Sequence, residues 1–345
     1  MKILIVRLSA IGDVVMASPL IRALRDRYPA AHIAWLVQPE AVPLLAANPR
    51  LNEVIVWPRG EWQRLWREKH YWQLAWVVFA FRRELRARGF DLVLDIQGLM
   101  KSGLLAWMTG APQRIGLGSR EGSARLMTRV VDKPQGDRRI GSEYRRMAEA
   151  LGLNSEPFEM DLALSAEAGN FAVGLISKRG LQNGYAVICP FTTRPQKHWV
   201  ESRWPELVAR MQTELADQPG LAVVMLGGPG DTEAAARIAA AVPSIHNLVG
   251  QTGLAEAAAL ISRARLLVGV DTGLTHMGIA FAVPTIAIFG STCPYLDTGR
   301  DNTRILYKAL ECSPCRRRPT CDGAFTCMRE ISVDEVLGTA RELLE

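Results

Sequence analysis

Short apolar runs alternate along this chain with stretches in which apolar residues recur every three or four positions. Lys2–Arg7, His32–Val37, Glu53–Trp57 and Asp91–Asp95 predict strands, with helices between them at Met16–Tyr28, Glu40–Ala47 and Trp62–Gly89. The alternation then restarts. Tyr185–Cys189, Leu221–Leu226, Arg265–Val270 and Pro284–Phe289 predict strands, and Glu201–Ala216, Asp231–Ala241, Leu254–Ser262 and Thr275–Phe281 predict helices. Repeated βα units imply parallel sheets with helices on both faces. The expected class is therefore α/β, with two Rossmann-like domains at residues 1–160 and 170–330 and a final amphipathic helix within 331–345, near Ser332–Leu344. The break falls in the polar stretch Gly152–Asn170, which carries Glu156-Pro157. Open parallel sheets bind ligands beyond the carboxyl ends of their strands. Two such sheets facing a central cleft would line it with residues that immediately follow strands.

Composition narrows the class. The chain has 345 residues, 48% hydrophobic and 22% charged, which suits about two globular domains and excludes a disordered protein. No run reaches the roughly 18 apolar residues of a spanning helix, and the N-terminal segment has no signal-peptide profile. A net charge of +6 points to an anionic partner: nucleic acid, nucleotide, phospholipid or phosphosugar. Six cysteines are too few for a disulfide scaffold and are expected as reduced cytosolic thiols.

Four motifs follow predicted strands. Ser9-Ala10-Ile11-Gly12-Asp13 places a carboxylate at the start of a helix, as an N-cap or as a general base. It is not G-x-G-x-x-G, which weakens dinucleotide binding in the N-terminal domain. Thr192-Thr193-Arg194-Pro195-Gln196-Lys197-His198-Trp199 sets two hydroxyls and two cations before a helix, suited to phosphate oxygens or to a solvated loop. Val270-Asp271-Thr272-Gly273-Leu274-Thr275-His276 opens a helix whose N-terminal amides favour an anion, with His276 in the first turn. Gly227-Gly228-Pro229-Gly230-Asp231 is a glycine-rich turn, after which Asp231 and Glu233 face a ribose or favour the helix start.

Together these motifs, with Asp95-Ile96-Gln97-Gly98-Leu99-Met100-Lys101-Ser102, resemble glycosyltransferase family 9, the ADP-heptose:lipopolysaccharide heptosyltransferases, over nearly the whole chain. The T-T-R-x-x-K-H-W form looks most like the heptosyltransferase I type. The resemblance implies a GT-B fold and inverting transfer of heptose from ADP-heptose to the lipopolysaccharide inner core, at Kdo or heptose of Kdo2-lipid A. It implies Asp13 as general base and Lys197 as the cation that stabilises leaving ADP. Thr192, Thr193, Lys197, Asp271, Thr272, Gly273, Leu274 and His276 would hold the donor, with Glu233 as ribose contact. Gln97, Lys101, Arg59, Arg114 and Arg120 would bind the acceptor's phosphates or carboxylates. No Asp-x-Asp occurs in the chain, so no cofactor is required and protein cations would replace a metal.

Two features stand outside that pattern. Five of the nine tryptophans lie between Trp57 and Trp76, and Arg59–Arg88 holds eight Lys/Arg against three Glu. This is either a helix with an aromatic core stripe and a solvated basic face, or an interfacial helix on anionic headgroups. The second reading predicts a cytoplasmic enzyme peripheral to the inner-membrane leaflet. Cys312, Cys315, Cys321 and Cys327 are candidate ligands for a structural Zn²⁺ or iron centre, with free thiols or a redox-sensitive pair as the alternative. Arg316-Arg317-Arg318 solvates that loop or lowers its thiol pKa values. Competing functions are a heptosyltransferase II or III activity, another GT-B transferase, or a non-catalytic nucleotide-sugar-binding protein. A nucleic-acid module lacks any recognised motif. A dehydrogenase is disfavoured, because Gly122 falls one residue late after Gly116-x-Gly118.

Overall fold

The computed structural model describes residues 1–154, 156–215, 221–315 and 318–345. They form two compact units: residues 1–137 with 141–163, and residues 138–140 with 164–345. The first unit runs β1 (Lys2–Val6), α1 (Ile11–Ala17), α2 (Pro19–Arg27), β2 (His32–Val37), β3 (Glu53–Val56), α3 (Arg59–Arg67), α4 (Tyr71–Ala87), β4 (Leu92–Asp95), α5 (Met100–Met108), β5 (Gln113–Leu117), β6 (Arg129–Val131) and α6 (Ser142–Ala150). Its six strands are parallel and ordered β3-β2-β1-β4-β5-β6. Alternate β1 side chains enter separate cores. Ile3 and Ile5 pack with α1, α2 and α6 through Leu20, Leu24 and Met147; Leu4 and Val6 pack with α4 and α5 through Phe81, Leu85 and Leu105. Period-2 alternation along a strand buried on both faces produces this double winding.

The second unit runs α7 (Ala166–Lys178), β7 (Tyr185–Cys189), α8 (Arg203–Glu214), β8 (Ala222–Met225), α9 (Thr232–Ala241), β9 (His246–Asn247), α10 (Leu254–Ile261), β10 (Leu266–Val270), α11 (Gly273–Ala280), β11 (Thr285–Phe289), β12 (Thr303–Tyr307), α12 (Thr326–Arg329) and α13 (Val333–Leu344). Its parallel sheet is ordered β12-β11-β10-β7-β8-β9, which repeats the winding of the first. The C-terminal helix α13 belongs to this unit's core through Val333, Val336, Leu337 and Ala340.

Several expectations change. The single helix Trp62–Gly89 is two helices, α3 and α4, broken where Lys69 takes φ 59°, a left-handed conformation that ends α3. Glu40–Ala47 is a 3-10 turn at Pro39–Leu44, because Pro43 denies it α-helical hydrogen bonds. The helix placed at Met16–Tyr28 splits at Ser18-Pro19. Ala216, the expected end of α8, lies outside the described residues. Strands β5, β6, β9 and β12 have no clear signal in the sequence: β9 has two residues, β6 has three, and β5 and β12 interleave arginine with apolar residues.

Candidate functional site

In each sheet the winding reverses between two adjacent strands, and the motifs lie at those reversals. The first reversal lies between β1 and β4, and the second between β7 and β10. At such points neighbouring loops leave in opposite directions and open a pocket at the strand ends.

In the first unit the β1 loop carries Asp13. Ala10, not Asp13, is the N-cap of α1; Asp13 stands three residues further on and its Oδ2 accepts from the Ala10 N–H at 3.3 Å. The same oxygen is ion-paired with Arg7. Arg7 is buried, donates to the Ile96 carbonyl at 3.1 Å and lies 5.8 Å from the Tyr144 ring centroid. The Asp13 side chain keeps 38% of its surface exposed, so the carboxylate is fixed from behind and open in front. Burial raises the Tyr144 hydroxyl well above its ordinary pKa; Arg7 opposes this and Asp13 adds to it. Arg7 and Tyr144 escaped the sequence reading. An arginine closing an apolar strand was the available signal.

The β4 loop supplies the rest. Asp95 is fully buried and its Oδ1 accepts from the Gln97 and Gly98 amides, both at 3.1 Å. Burial raises its pKa against these hydrogen bonds. Gly98 takes φ 67°, and a Cβ there would sit 2.3 Å from the Leu117 carbonyl. Gln97 is buried, with Oε1 accepting from the Leu8 amide at 2.8 Å, so it ties the β4 loop to β1. Lys101 opens α5. Burial lowers its pKa, and the nearby charges of Arg59 and Arg7 lower it further while Glu121 opposes. Lys101, Arg59 and Arg7 thus form a basic zone around the Asp13 loop. The Arg114 guanidinium is engaged locally, by the carbonyls of Leu126 at 2.9 Å and Ala111. Arg120 follows β5, its amide donating to Gly98 at 2.9 Å.

In the second unit the β7 and β10 loops meet. Lys197 Nζ lies 2.6 Å from Asp271 Oδ2, and the Thr192 hydroxyl donates to the Asp271 carbonyl at 3.2 Å. His276 is buried in α11, with Nε2 3.4 Å from Asp271 Oδ1 and Nδ1 2.6 Å from the Tyr295 hydroxyl. Thr292 also donates to Asp271 Oδ2. Burial by itself would raise the Asp271 pKa. The His276 hydrogen bond and charge, with Lys197, overcome it and hold the carboxyl well below the usual carboxylate range. Thr272 is the N-cap of α11 without a side-chain cap bond, and Gly273 and Leu274 open its first turn. Gly269 allows β10 to approach: a Cβ there would lie 2.2 Å from Thr275 Oγ1. Thr193 is exposed beside Thr192. Thr292 and Tyr295, in Ser291–Tyr295 after β11, were missed; polar residues following a fully buried strand were the signal.

Two expectations fit less well. The Glu233 side chain is 94% exposed and pairs with Arg237 at 3.2 Å, whereas Asp231 accepts from the Gly228 amide at 2.8 Å and shapes the glycine turn. The metal alternative for the four cysteines finds no support in the structure. Among the described residues no group of three or more His, Cys, Asp or Glu is placed to hold a metal ion. Their surroundings differ. Cys312 is exposed, whereas Cys327 is buried beside Gly290, where a Cβ would come within 2.9 Å of its sulfur. Burial, then the neighbouring cysteines, push the Cys315 and Cys327 thiols up, towards the protonated form. Arg316 and Arg317 lie outside the described residues.

The chain is similar to known proteins over its full extent. The solved E. coli ADP-heptose LPS heptosyltransferase II superposes with a TM-score of 0.76 at 25% identity, covering 100% of this chain and 98% of that one. E. coli heptosyltransferase WaaC with ADP-2-deoxy-2-fluoro heptose gives 0.74 at 25% identity, covering 99% of each. Two parallel six-stranded sheets of this winding are the GT-B fold. The lipopolysaccharide heptosyltransferase 1 of Pseudomonas aeruginosa is 28% identical over 337 residues, covering 93% of this chain and 87% of that protein. The family model of glycosyltransferase family 9 (heptosyltransferase) matches residues 78–324. The chain belongs to glycosyltransferase family 9, the heptosyltransferases, and is a glycosyltransferase.

Proposed function

We propose that this enzyme transfers heptose from ADP-heptose to the lipopolysaccharide inner core, at Kdo or heptose of Kdo2-lipid A, with inversion at the anomeric carbon. The observation that carries the reading is the pair of charged constellations at the two strand-order reversals: a half-open carboxylate held by Arg7 in the first unit, and Lys197 on Asp271 in the second. The first unit takes the acceptor and the second takes the donor. The relatives named above support donor and acceptor class by their names.

An acceptor hydroxyl attacks the anomeric carbon on the face opposite the diphosphate. The new C–O bond forms as the bond to the phosphate oxygen breaks, and that electron pair leaves on ADP. Asp13 takes the hydroxyl proton. The ion pair with Arg7 holds the Asp13 carboxylate from behind and leaves its open side to the incoming hydroxyl. Lys197, Thr192, Thr193 and the first-turn amides of α11 at Gly273 and Leu274 receive the charge growing on the diphosphate. His276, with both ring nitrogens engaged by protein, acts by orienting Asp271. Asp271 in turn holds Lys197. Arg59, Lys101 and Arg120 bind the anionic groups of the acceptor, and Gln97 sets the loop that carries Lys101. Glu233, exposed at the start of α9, remains the ribose contact of this reading. The acceptor is held in a membrane, so the enzyme works as a cytoplasmic, peripheral protein of the inner leaflet. No helix among the described residues is long and apolar enough to span one.

The test is transfer from ADP-heptose to Kdo2-lipid A, read by mass spectrometry, for wild type and Asp13→Asn. Asparagine keeps the shape beside Arg7 but takes no proton. Turnover should fall about 100- to 10,000-fold while ADP affinity by calorimetry stays near wild type. Asp13→Asn turnover within a few-fold of wild type would remove Asp13 from the mechanism.

A further inference from the structure

The α3–α4 hairpin has two unlike faces. One is anchored: Leu65, Phe81 and Leu85 are buried, and Trp62 packs edge-on between Trp57 and Phe81, with ring centroids at 5.8 and 5.7 Å. The other carries large aromatics in solvent. Trp72, Trp76 and Phe79 are 91%, 71% and 62% exposed. Their i, i+4, i+7 spacing puts them on one side of α4. At the turn, Trp66 and Tyr71 stack edge-on with centroids 5.5 Å apart, both exposed. The aromatic core stripe read from the sequence therefore holds for Trp57 and Trp62 but not for Trp66, Trp72 and Trp76. Large aromatics clustered in solvent on one helix face mark an interaction site.

Charge identifies the partner. Arg67, Lys69, Arg83 and Arg86 are exposed around the rings, and Arg82 lies over the Trp107 ring at 5.0 Å. Three Glu stand against eight Lys/Arg in Arg59–Arg88, and Glu68 and Glu84 are already paired, with Arg64 and Arg88. Aromatic rings flanked by unpaired cations fit an anionic bilayer surface: the rings reach the headgroup–acyl boundary and the cations stay with the phosphates. A protein partner or a second copy would need an acidic face. Topology adds a direction. α3 starts just after β3, at the carboxyl edge of the sheet where Asp13 and Lys101 lie, and α4 runs back from there to the start of β4. Tyr71, Trp72 and Trp76 are thus at the end of the hairpin nearest the acceptor zone.

We infer that the α3–α4 hairpin is a monotopic membrane anchor, in which Trp72, Trp76 and Phe79 insert into an anionic phospholipid surface and hold the Asp13 edge of the first unit against it. The inference deepens the membrane-held acceptor proposed above and rests on it. The test is co-sedimentation of the full chain with phosphatidylglycerol-containing vesicles and with pure phosphatidylcholine vesicles. Quenching of tryptophan emission by brominated acyl chains reports insertion. Wild type should bind the anionic vesicles and be quenched. The combined variant Trp72→Ser, Trp76→Ser, Phe79→Ser changes only exposed positions and should partition at least about tenfold more weakly, with unchanged far-ultraviolet circular dichroism. Equal partition of the two proteins overturns the inference. So does a wild type that ignores anionic vesicles at low salt, or one whose aromatics are buried in a lipid-free dimer that the variant dissolves. Vesicle binding is read with no sugar present. A wild type that binds and is quenched yet transfers no heptose would therefore remove the enzymatic reading and leave the anchor.

Discussion

Asp13 ends a line of buried contacts. The Trp35 indole donates to the Arg7 carbonyl at 3.1 Å, the Arg7 side chain reaches the Ile96 carbonyl at 3.1 Å, and the guanidinium then meets Asp13. Removing the carboxylate with alanine would leave a buried cation unpaired, a destabilising change in its own right. Asn also removes the counter-charge, but it leaves Arg7 an amide oxygen to donate to where alanine leaves nothing, so Asn is the cleaner probe of the base. Asp271 is the counterpart in the second unit, and its lowered pKa has a pH signature. A carboxyl whose folded pKa lies below its unfolded value contributes stability in full above the unfolded value, about 3.9, and loses it as pH falls through the folded one. Asp271→Asn should cost on the order of 3 kcal/mol at neutral pH. The gap to wild type should shrink as pH drops below about 4, when measured by denaturant unfolding across a pH series. A gap independent of pH would show that the Asp271 charge does not stabilise the fold.

At the scale of elements, the functional loops depend on glycines where backbones close on one another. Gly98 joins β4 to α5, and its left-handed φ of 67° and 2.3 Å approach to the Leu117 carbonyl exclude any side chain. Gly98→Ala should destabilise the first unit by about 2 kcal/mol or more. It should also displace Lys101, so the melting temperature falls and acceptor KM rises; an unchanged melting temperature would contradict the close approach. The apolar periods marked eight strands and most helices because parallel strands buried on both faces read as unbroken apolar runs, as in Tyr185–Cys189. They missed β5, β6, β9 and β12 because strands at or near a sheet edge are short or partly exposed. They merged α3 and α4 because the apolar spacing continues across the Lys69 turn.

For the whole molecule, two sheets of the same winding each put chemistry-bearing loops at one reversal of strand order. The proposed division of donor and acceptor between the units predicts a local response. Amide exchange with added ADP should slow at residues 192–198 and 271–276, where Lys197, Asp271 and the start of α11 lie, and change little in β2 and β3. Protection centred on the Asp13 loop instead would reverse the assignment of donor and acceptor. The +6 charge also resolves into places: Lys197 on Asp271 in the second unit, Arg59 and Lys101 near Asp13, and the exposed cations of the α3–α4 hairpin.

The sequence by itself determined the α/β class, the two series of βα units and the loops that carry chemistry. Those properties are local: side-chain period, turn residues and short motifs are written in neighbouring positions. Only the tertiary structure decided which side chains those loops meet. Arg7 comes to Asp13, Tyr295 and Thr292 come to the His276–Asp271 pair, and Gln97 is spent on the Leu8 amide, through strands adjacent in space and far apart in sequence. It also decided the fate of the aromatics and thiols. The same helical spacing packs Trp62 against the first unit's core and leaves Trp72 in solvent, and Cys312 is exposed where its neighbour Cys327 is buried. Burial depends on what packs from elsewhere, and a local pattern does not contain that information.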